Sequence, residues 1–360
     1  MKVVTIVGAR PQFIKAATLS REFKKHPNID EIIIHTGQHF DDNMSDIFFR
    51  EMEIPAPKYM LAVNSLSHGA MTGLMLKEIE KILINEKPDC VLVYGDTNTT
   101  LAGALAAAKL HIKLIHVEAG LRSFNMKMPE EINRILTDRM SNLLFCPTQQ
   151  SITNLKNEGF DNFKCSFYLV GDVMQDAAIY YSKKAQEKST IIDDLKLNNN
   201  FIVCTFHRAE NTDDLPKLSK IVGALNELSK EFRVIVPLHP RTRKIVNDKK
   251  IALKFEAIEP VGYFDMIQLL KNCSIVITDS GGVQKEAYFF NKYCITIREE
   301  TEWIELVKNG FNYVTGIDKK KIIETTKLLL NKKFHSDNSL YGGGTAAFKI
   351  VEKLLLEVQQ

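Results

Sequence analysis

A short β-branched run followed by a stretch of helical period recurs along this whole chain, and that rhythm constrains the fold more than any composition figure. VVTIVG (3–8), EIIIHTG (31–37), CVLVYGD (90–96), KLIHVEA (113–119), LLFCPT (143–148) and FYLVG (167–171) make one series. FIVCTFHR (201–208), RVIVPLHP (233–240), KFEAIEP (254–260), SIVITDSGG (274–282) and YCITIRE (293–299) make a second. Runs that are apolar on both parities suit strands covered on both faces, the condition of a parallel sheet. Between the two series SKKAQEKSTIIDDLKLNNN (182–200) is polar enough to interrupt them. The expected class is therefore α/β: two doubly wound, Rossmann-like domains facing a cleft, with ligands at the C-terminal ends of the strands. Domains are expected over 1–172 and 173–340, with the last helix, in 341–360, a candidate to pack back on the first.

With 360 residues, 45% of them hydrophobic, the chain can bury two cores of ordinary size. No apolar run is long enough to cross a bilayer, and the first apolar run is broken by Gly8, Arg10 and Pro11, so neither a membrane span nor a signal peptide is expected and the cytoplasm is the expected compartment. The six cysteines form no C-x-x-C pair and read as reduced core residues. A net charge of +3 is too slight and too evenly spread to argue for nucleic acid. No two histidines stand at ligand spacing on one helix and no D-x-D occurs, so a metal has no support; GxGxxG is absent after the first strand, which argues against a dinucleotide cofactor. No cofactor is expected.

Chemistry in such a fold collects just past each strand. GARPQFIK offers Arg10 and Lys15 there, with Pro11 suited to a helix N1 position. Asp96 follows CVLVYG, where a helix cap and a functional acid are equally good readings. Glu118 follows KLIHV, and a carboxylate at the mouth of a buried strand is harder to explain as a cap. MPEEINR puts Glu130 and Glu131 in a helix's first turn, where the dipole alone favours acids, so only one of them need be functional. Asp96, Glu118 and Glu130 would converge in one crevice, where like-charge crowding raises at least one pKa toward neutrality. In the second half His207 in CTFHRAEN and His239 in PLHPRTR stand past strands, positions at which a lone histidine is more often structural. TDSGGVQKEA runs from a strand through Ser280, Gly281 and Gly282 into a helix: the amides there suit a diphosphate, and Glu286 suits a ribose diol. A tight strand-to-helix turn is the plainer reading of the same residues.

Together GARPQFIK, VYGDTNTT, HVEAGLRS, MPEEINR, FHRAEN, LHPRTR and TDSGGVQKEA, in this order and spacing, closely resemble the non-hydrolysing UDP-N-acetylglucosamine 2-epimerases, nearly from end to end. The resemblance implies a glycosyltransferase-B-like fold, a homodimer, and action on UDP-sugars that feed bacterial surface polysaccharides such as O-antigen. It implies Asp96, Glu118 and Glu130 as catalytic acids and His207 as the group that steadies departing UDP. Arg10, Lys15, Ser280, Gly281, Gly282 and Glu286 match its nucleotide-binding positions. Gln38, His39 and Arg208 correspond to a second, activating UDP-sugar site. The family's G-T-R-P-E reads GARPQ here, its T-E-R-P-E reads TEWIE with Trp303 in place of an arginine, and Met266 stands where an aromatic ring meets uracil. GARPQFIKA, SFNMKMPEEINR, VQKEAYFF and TEWIEL look like the branch acting on UDP-2,3-diacetamido-2,3-dideoxy-glucuronate. A hydrolysing 2-epimerase and a B-type glycosyltransferase are the alternatives.

Overall fold

The computed structural model describes residues 1–38, 52–198, 200–336 and 339–358, which fall into two compact units. One comprises Met1–Ala177 with Ser339–Gln360, the other Ala178–Asn338. The division lies inside the helix Val173–Lys188, past the boundary expected at 172.

In the first unit β1 (Lys2–Val7), β2 (Asp30–His35), β3 (Tyr59–Met60), β4 (Cys90–Tyr94), β5 (Lys113–Val117), β6 (Leu143–Cys146) and β7 (Ser166–Leu169) form one parallel sheet in the order β3-β2-β1-β4-β5-β6-β7. In the second, β8 (Phe201–Thr205), β9 (Arg233–Pro237), β10 (Glu256–Ile258), β11 (Ile275–Thr278), β12 (Cys294–Thr296) and β13 (Asn312–Val314) form another, in the order β10-β9-β8-β11-β12-β13. Each sheet therefore reverses direction beside its first strand, between β1 and β4 and between β8 and β11, where open α/β sheets bind ligands. The edge strands β3 and β13 went unforeseen because they are two and three residues long and carry no continuous apolar run.

The flat hydrophobicity of the strands has its cause in the packing. On the second sheet Ile202, Cys204, Val234, Val236, Ile275 and Ile277 join one core cluster with the helices Leu215–Leu228 and Lys319–Leu330. Their chain neighbours Phe201, Val203, Ile235 and Val276 join another with Leu269, Leu270 and Ala287 on the opposite face. The first sheet does likewise, sending Val4, Ile6, Ile32, Ile34, Val91 and Val93 against the helices His68–Glu86 and Asn98–Lys109. All six cysteines are free thiols, and burial pushes those of Cys90 and Cys273 up to about 12, so they serve as small apolar residues.

The last helix, Ala346–Val358, belongs to the first unit, where it packs on the helix Arg10–Phe23. Lys113 donates to the Glu357 carbonyl and the Tyr168 hydroxyl to the Glu357 carboxylate. At the other end Asp176 accepts the amides of Ala346 and Ala347 at 3.2 and 2.8 Å, capping the helix from outside. Burial pushes the Asp176 pKa up from 3.8 to about 6, and nearby Asp172 adds to the rise, against the lowering by those two amides and Arg21. Burial wins, so the fold prefers the protonated acid. Stability is then greatest below the unfolded pKa, falls as pH rises from about 4 to about 6, and is level above that. We predict that Asp176→Asn removes this slope: between pH 4 and 6 the unfolding free energy of the variant relative to wild type should climb by roughly 3 kcal/mol in urea titrations. A constant difference across that window would show that Asp176 does not titrate there.

Candidate active site

At the mouth of the first sheet, β4 and β5 pair Tyr94 with Val117, so Asp96 and Glu118 leave adjacent strands almost side by side. Glu118 takes a left-handed backbone (φ 72°), a conformation that is strained for a residue with a side chain. Its amide and that of Ala119 both donate to the Phe145 carbonyl at 3.0 Å, which holds the turn. The carboxylate is buried and ion-paired to the equally buried Lys15 of the helix Arg10–Phe23. Gly95 makes room for the pair. Its φ is 62°, and a β-carbon there would stand 3.1 Å from both Glu118 Oε2 and Lys15 Nζ.

Asp96 is held from the helix Pro129–Met140. Arg134 Nη2 donates to Asp96 Oδ2 at 2.6 Å and Asn133 Nδ2 to the Asp96 carbonyl at 2.9 Å. Glu130 lies three and four residues before these two, hence on the same helix face. The two acids of that first turn divide their labour. Glu131 is fully buried and accepts from the Ser123 amide, the Ser123 hydroxyl and the Phe124 amide at 2.8 to 3.0 Å, bracing the preceding loop. Glu130 is half-buried, with no hydrogen bond or ion pair among the described residues. The expected crowding of acids is thus answered locally, Lys15 serving Glu118 and Arg134 serving Asp96.

Three positioning contacts had no signal in the sequence. Arg134 and Asn133 read as ordinary helix residues. Gln12 accepts the amides of Gly8 and Ala9 at 2.9 and 3.0 Å and donates to the Tyr94 carbonyl at 2.9 Å, tying the β1 turn to the end of β4. Arg10, half-buried, opens the same helix. Gln38 accepts from the amide and hydroxyl of Thr99 at 3.0 and 2.9 Å, beside Asp96. His39 lies outside the described residues.

In the second unit the corresponding reversal point gathers His207, Arg208 and the start of the helix Gly281–Phe289. Buried Asp279 organises it. Its carboxylate accepts the backbone amides of His207 and Arg208 at 3.1 Å and the Asn211 amide group at 3.0 Å, and stands 3.6 Å from His207 Nδ1. The His207 side chain is 49% exposed. His239 packs beside it at 6.2 Å, its pKa lowered by burial and by the neighbouring His207 and Arg241. At that helix start the Ser280 amide donates to Thr278 Oγ1 at 2.9 Å. Ser280 supplies no side-chain cap, leaving the Gly281 and Gly282 amides as the donors of that helix start. A β-carbon at Gly281 would overlap the Glu302 carboxylate, which is paired with Arg298 at 3.0 Å. Glu286 is buried one turn on, and Lys285 lies over the Trp303 ring at 4.1 Å. Met266 packs against the core cluster of that face.

A family model described as UDP-N-acetylglucosamine 2-epimerase matches residues 21–355. The chain is 53% identical, over 98% of its length and 99% of the relative's, to the UDP-2,3-diacetamido-2,3-dideoxy-D-glucuronate 2-epimerase of Pseudomonas aeruginosa. Among solved structures it is similar to the Methanocaldococcus jannaschii UDP-GlcNAc 2-epimerase in complex with UDP-GlcNAc and UDP, with a TM-score of 0.92 and 44% identity over 99% of this chain and 100% of that one. It is similar also to the Neisseria meningitidis UDP-GlcNAc 2-epimerase bound to UDP-GlcNAc, with a TM-score of 0.90 and 33% identity over 99% of this chain and 100% of that one.

The tightest point of the geometry is Gly95. We predict that Gly95→Ala costs 1–2 kcal/mol in urea unfolding, from the left-handed φ and from displacement of the Lys15–Glu118 pair. Stability equal to wild type would mean that the turn relaxes without disturbing the pair.

Proposed function

Because this chain belongs to the UDP-N-acetylglucosamine 2-epimerase family, we propose that it inverts C2 of a UDP-sugar without net hydrolysis, and that the sugar is 2,3-diacetamido-2,3-dideoxy-glucuronate. The observation that carries the reading is the strained, buried Glu118 paired with Lys15 beside Asp96 and its Arg134. The choice of sugar is supported by the Pseudomonas aeruginosa relative and by the motifs GARPQFIKA and TEWIEL.

The C2 hydrogen of such a sugar has no neighbouring carbonyl to acidify it, so a direct route through a carbanion is closed. Elimination opens one. The C1–O bond breaks with its electron pair leaving on the β-phosphate of UDP, the C2 proton passes to a carboxylate, and a C1=C2 glycal forms. Return of a proton to the opposite face of C2 with attack of UDP on C1 completes the inversion, and atoms and charge balance. Asp96, Glu118 and Glu130 move the proton in this scheme. The Gly281 and Gly282 amides, His207 and Arg10 hold the diphosphate, whose charge grows as the bond breaks, and Glu286 holds the ribose. Lys15 keeps Glu118 in place and matches one of the family's nucleotide-binding positions.

The same reading carries a homodimer at work in the cytoplasm, supplying nucleotide sugar for surface polysaccharide. Six free thiols suit a reducing compartment. Among the described residues no helix is long and apolar enough to cross a membrane. An activating role for Gln38, His39 and Arg208 belongs to this proposal too.

Proton NMR in D₂O tests the reaction. Intact UDP-sugar should gain deuterium at C2 as the two epimers equilibrate, whereas release of free UDP with free sugar would mark a hydrolase, and an unchanged spectrum without acceptor a transferase. Glu118→Gln should lower turnover by 10²-fold or more while UDP binding stays near wild type. Full turnover in that variant would remove Glu118 from the catalytic set.

A further inference from the structure

Behind the turn that carries Asp96, the first unit buries a cluster of charges that no step of the proposed reaction uses. Asp138, fully buried on the helix Pro129–Met140, accepts from His116 Nδ1 at 2.7 Å, from Arg122 Nη1 at 2.7 Å and from the Gly120 amide at 3.1 Å. His116 Nε2 reaches the Gly95 carbonyl at 2.7 Å. Arg122 Nε and Nη2 grip Glu158 at 2.6 and 2.8 Å. A carbonyl oxygen can only accept, so Nε2 of His116 carries a proton, and an ionised Asp138 requires a second proton on Nδ1. Burial opposes the Asp138 charge, yet His116 and Arg122 outweigh it and hold that carboxyl below its ordinary pKa. His116 thus bridges the Asp138 carboxylate and the Gly95 carbonyl, and Arg122 bridges Asp138 and Glu158.

The bonds of this cluster end on the three segments that bear the proposed acids. His116 holds the carbonyl of Gly95, the residue immediately before Asp96. Gly120 and Arg122 belong to the loop that opens with Glu118. Asp138 lies about two turns along the helix that begins with Glu130. Stability alone gives a weak reason to bury such a set, since well-packed apolar side chains often do as well. Geometry gives a strong one, because a misplacement of about 1 Å at reacting groups costs on the order of 10² in rate.

We infer that Asp138 is a positioning residue of the epimerase reaction, holding the Asp96 turn through His116 and the Glu118 loop through Gly120 and Arg122 in register with Glu130. The inference rests on the reading that these three acids move the C2 proton. Three variants of the full chain test it: Asp138→Asn, His116→Gln and His116→Asn, each assayed with the diacetamido-glucuronate UDP-sugar and normalised to the number of UDP-binding sites. Gln reproduces the Nε2 donor to Gly95 and loses Asp138, whereas Asn does the reverse. Asp138→Asn should lose about 10² in kcat, with KM within about threefold of wild type. Each His116 variant breaks one of the two bonds of the Asp138–His116–Gly95 chain, so both should lose about 10² in kcat with KM within about threefold of wild type, a split that a purely structural role would not produce once sites are counted. If Asp138→Asn fails to fold, the two His116 variants decide. A kcat per site within threefold of wild type in the folded variants overturns the inference. Should wild type turn over no UDP-sugar, the functional reading fails first, and NMR of His116 still reads the clamp: an Nε2 proton protected from exchange, whose protection is lost in Asp138→Asn, supports it, and an Nε2 proton that exchanges freely with water in wild type overturns it.

Discussion

A parallel sheet covered on both faces gives most positions along its strands to apolar side chains and leaves exposed polar groups chiefly to the ends of those strands. Both sheets obey this constraint. Val203 and Cys204, adjacent in the chain, enter different core clusters, and so do Ile235 and Val236, so no position along those strands is free for polar duty. The polar residues that a reaction needs are thereby displaced to the β1, β4 and β5 mouths in one unit, at and beside the β1/β4 reversal of strand order, and to the β8 and β11 mouths in the other, at its own reversal. Site placement follows from core formation.

Charges placed there are still largely out of water, and each must be compensated or it would be neutralised by a proton. The structure compensates them unequally. Glu118 has a buried lysine, Asp96 an arginine from a helix and a side chain 29% exposed, and Glu130 no partner among the described residues. Three carboxylates in three environments are what a reaction needs that takes a proton from one face of a ring and returns one to the other, since identical acids could not be donor and acceptor at once. The backbone contributes too. Gly95 and Glu118, both at positive φ, turn the chain sharply enough to bring Asp96 and the Lys15–Glu118 pair to the same strand ends.

How far the sequence alone reaches depends on the range of the interaction. The strands, the α/β class and the strand-end positions of Asp96, Glu118, His207 and Ser280 were legible because each depends on a local pattern of hydrophobicity followed by a polar or glycine break. What chooses between Glu130 and Glu131 was not legible, for it is a loop packed from eight residues upstream that claims Glu131. Nor was Asp279 distinguishable from a helix-start acid, although its carboxylate gathers two amides from the end of another strand. Gln12, Arg134 and Asp138 act across 16 to 82 positions of chain, and nothing in their own neighbourhoods announces it. The contact of the Ser280 amide with the Thr278 hydroxyl, two residues back, is local yet equally unannounced by the motif.

The replacement of a family arginine by Trp303 shows why a motif should be weighed by its surroundings. Read alone, TEWIE removes a positive charge from a site meant for anions. In the fold, the Trp303 ring is buried and carries the Lys285 ammonium over its face, where the negative quadrupole favours a cation. The Glu302 carboxylate beside Gly281 would repel a phosphate, yet Arg298 neutralises it at 3.0 Å. The ring thus holds a buried cation near the helix start in place of an arginine's own fork. The exchange gives up bidentate geometry, which matters for orienting a planar or tetrahedral anion, and keeps the field, which matters for binding it at all.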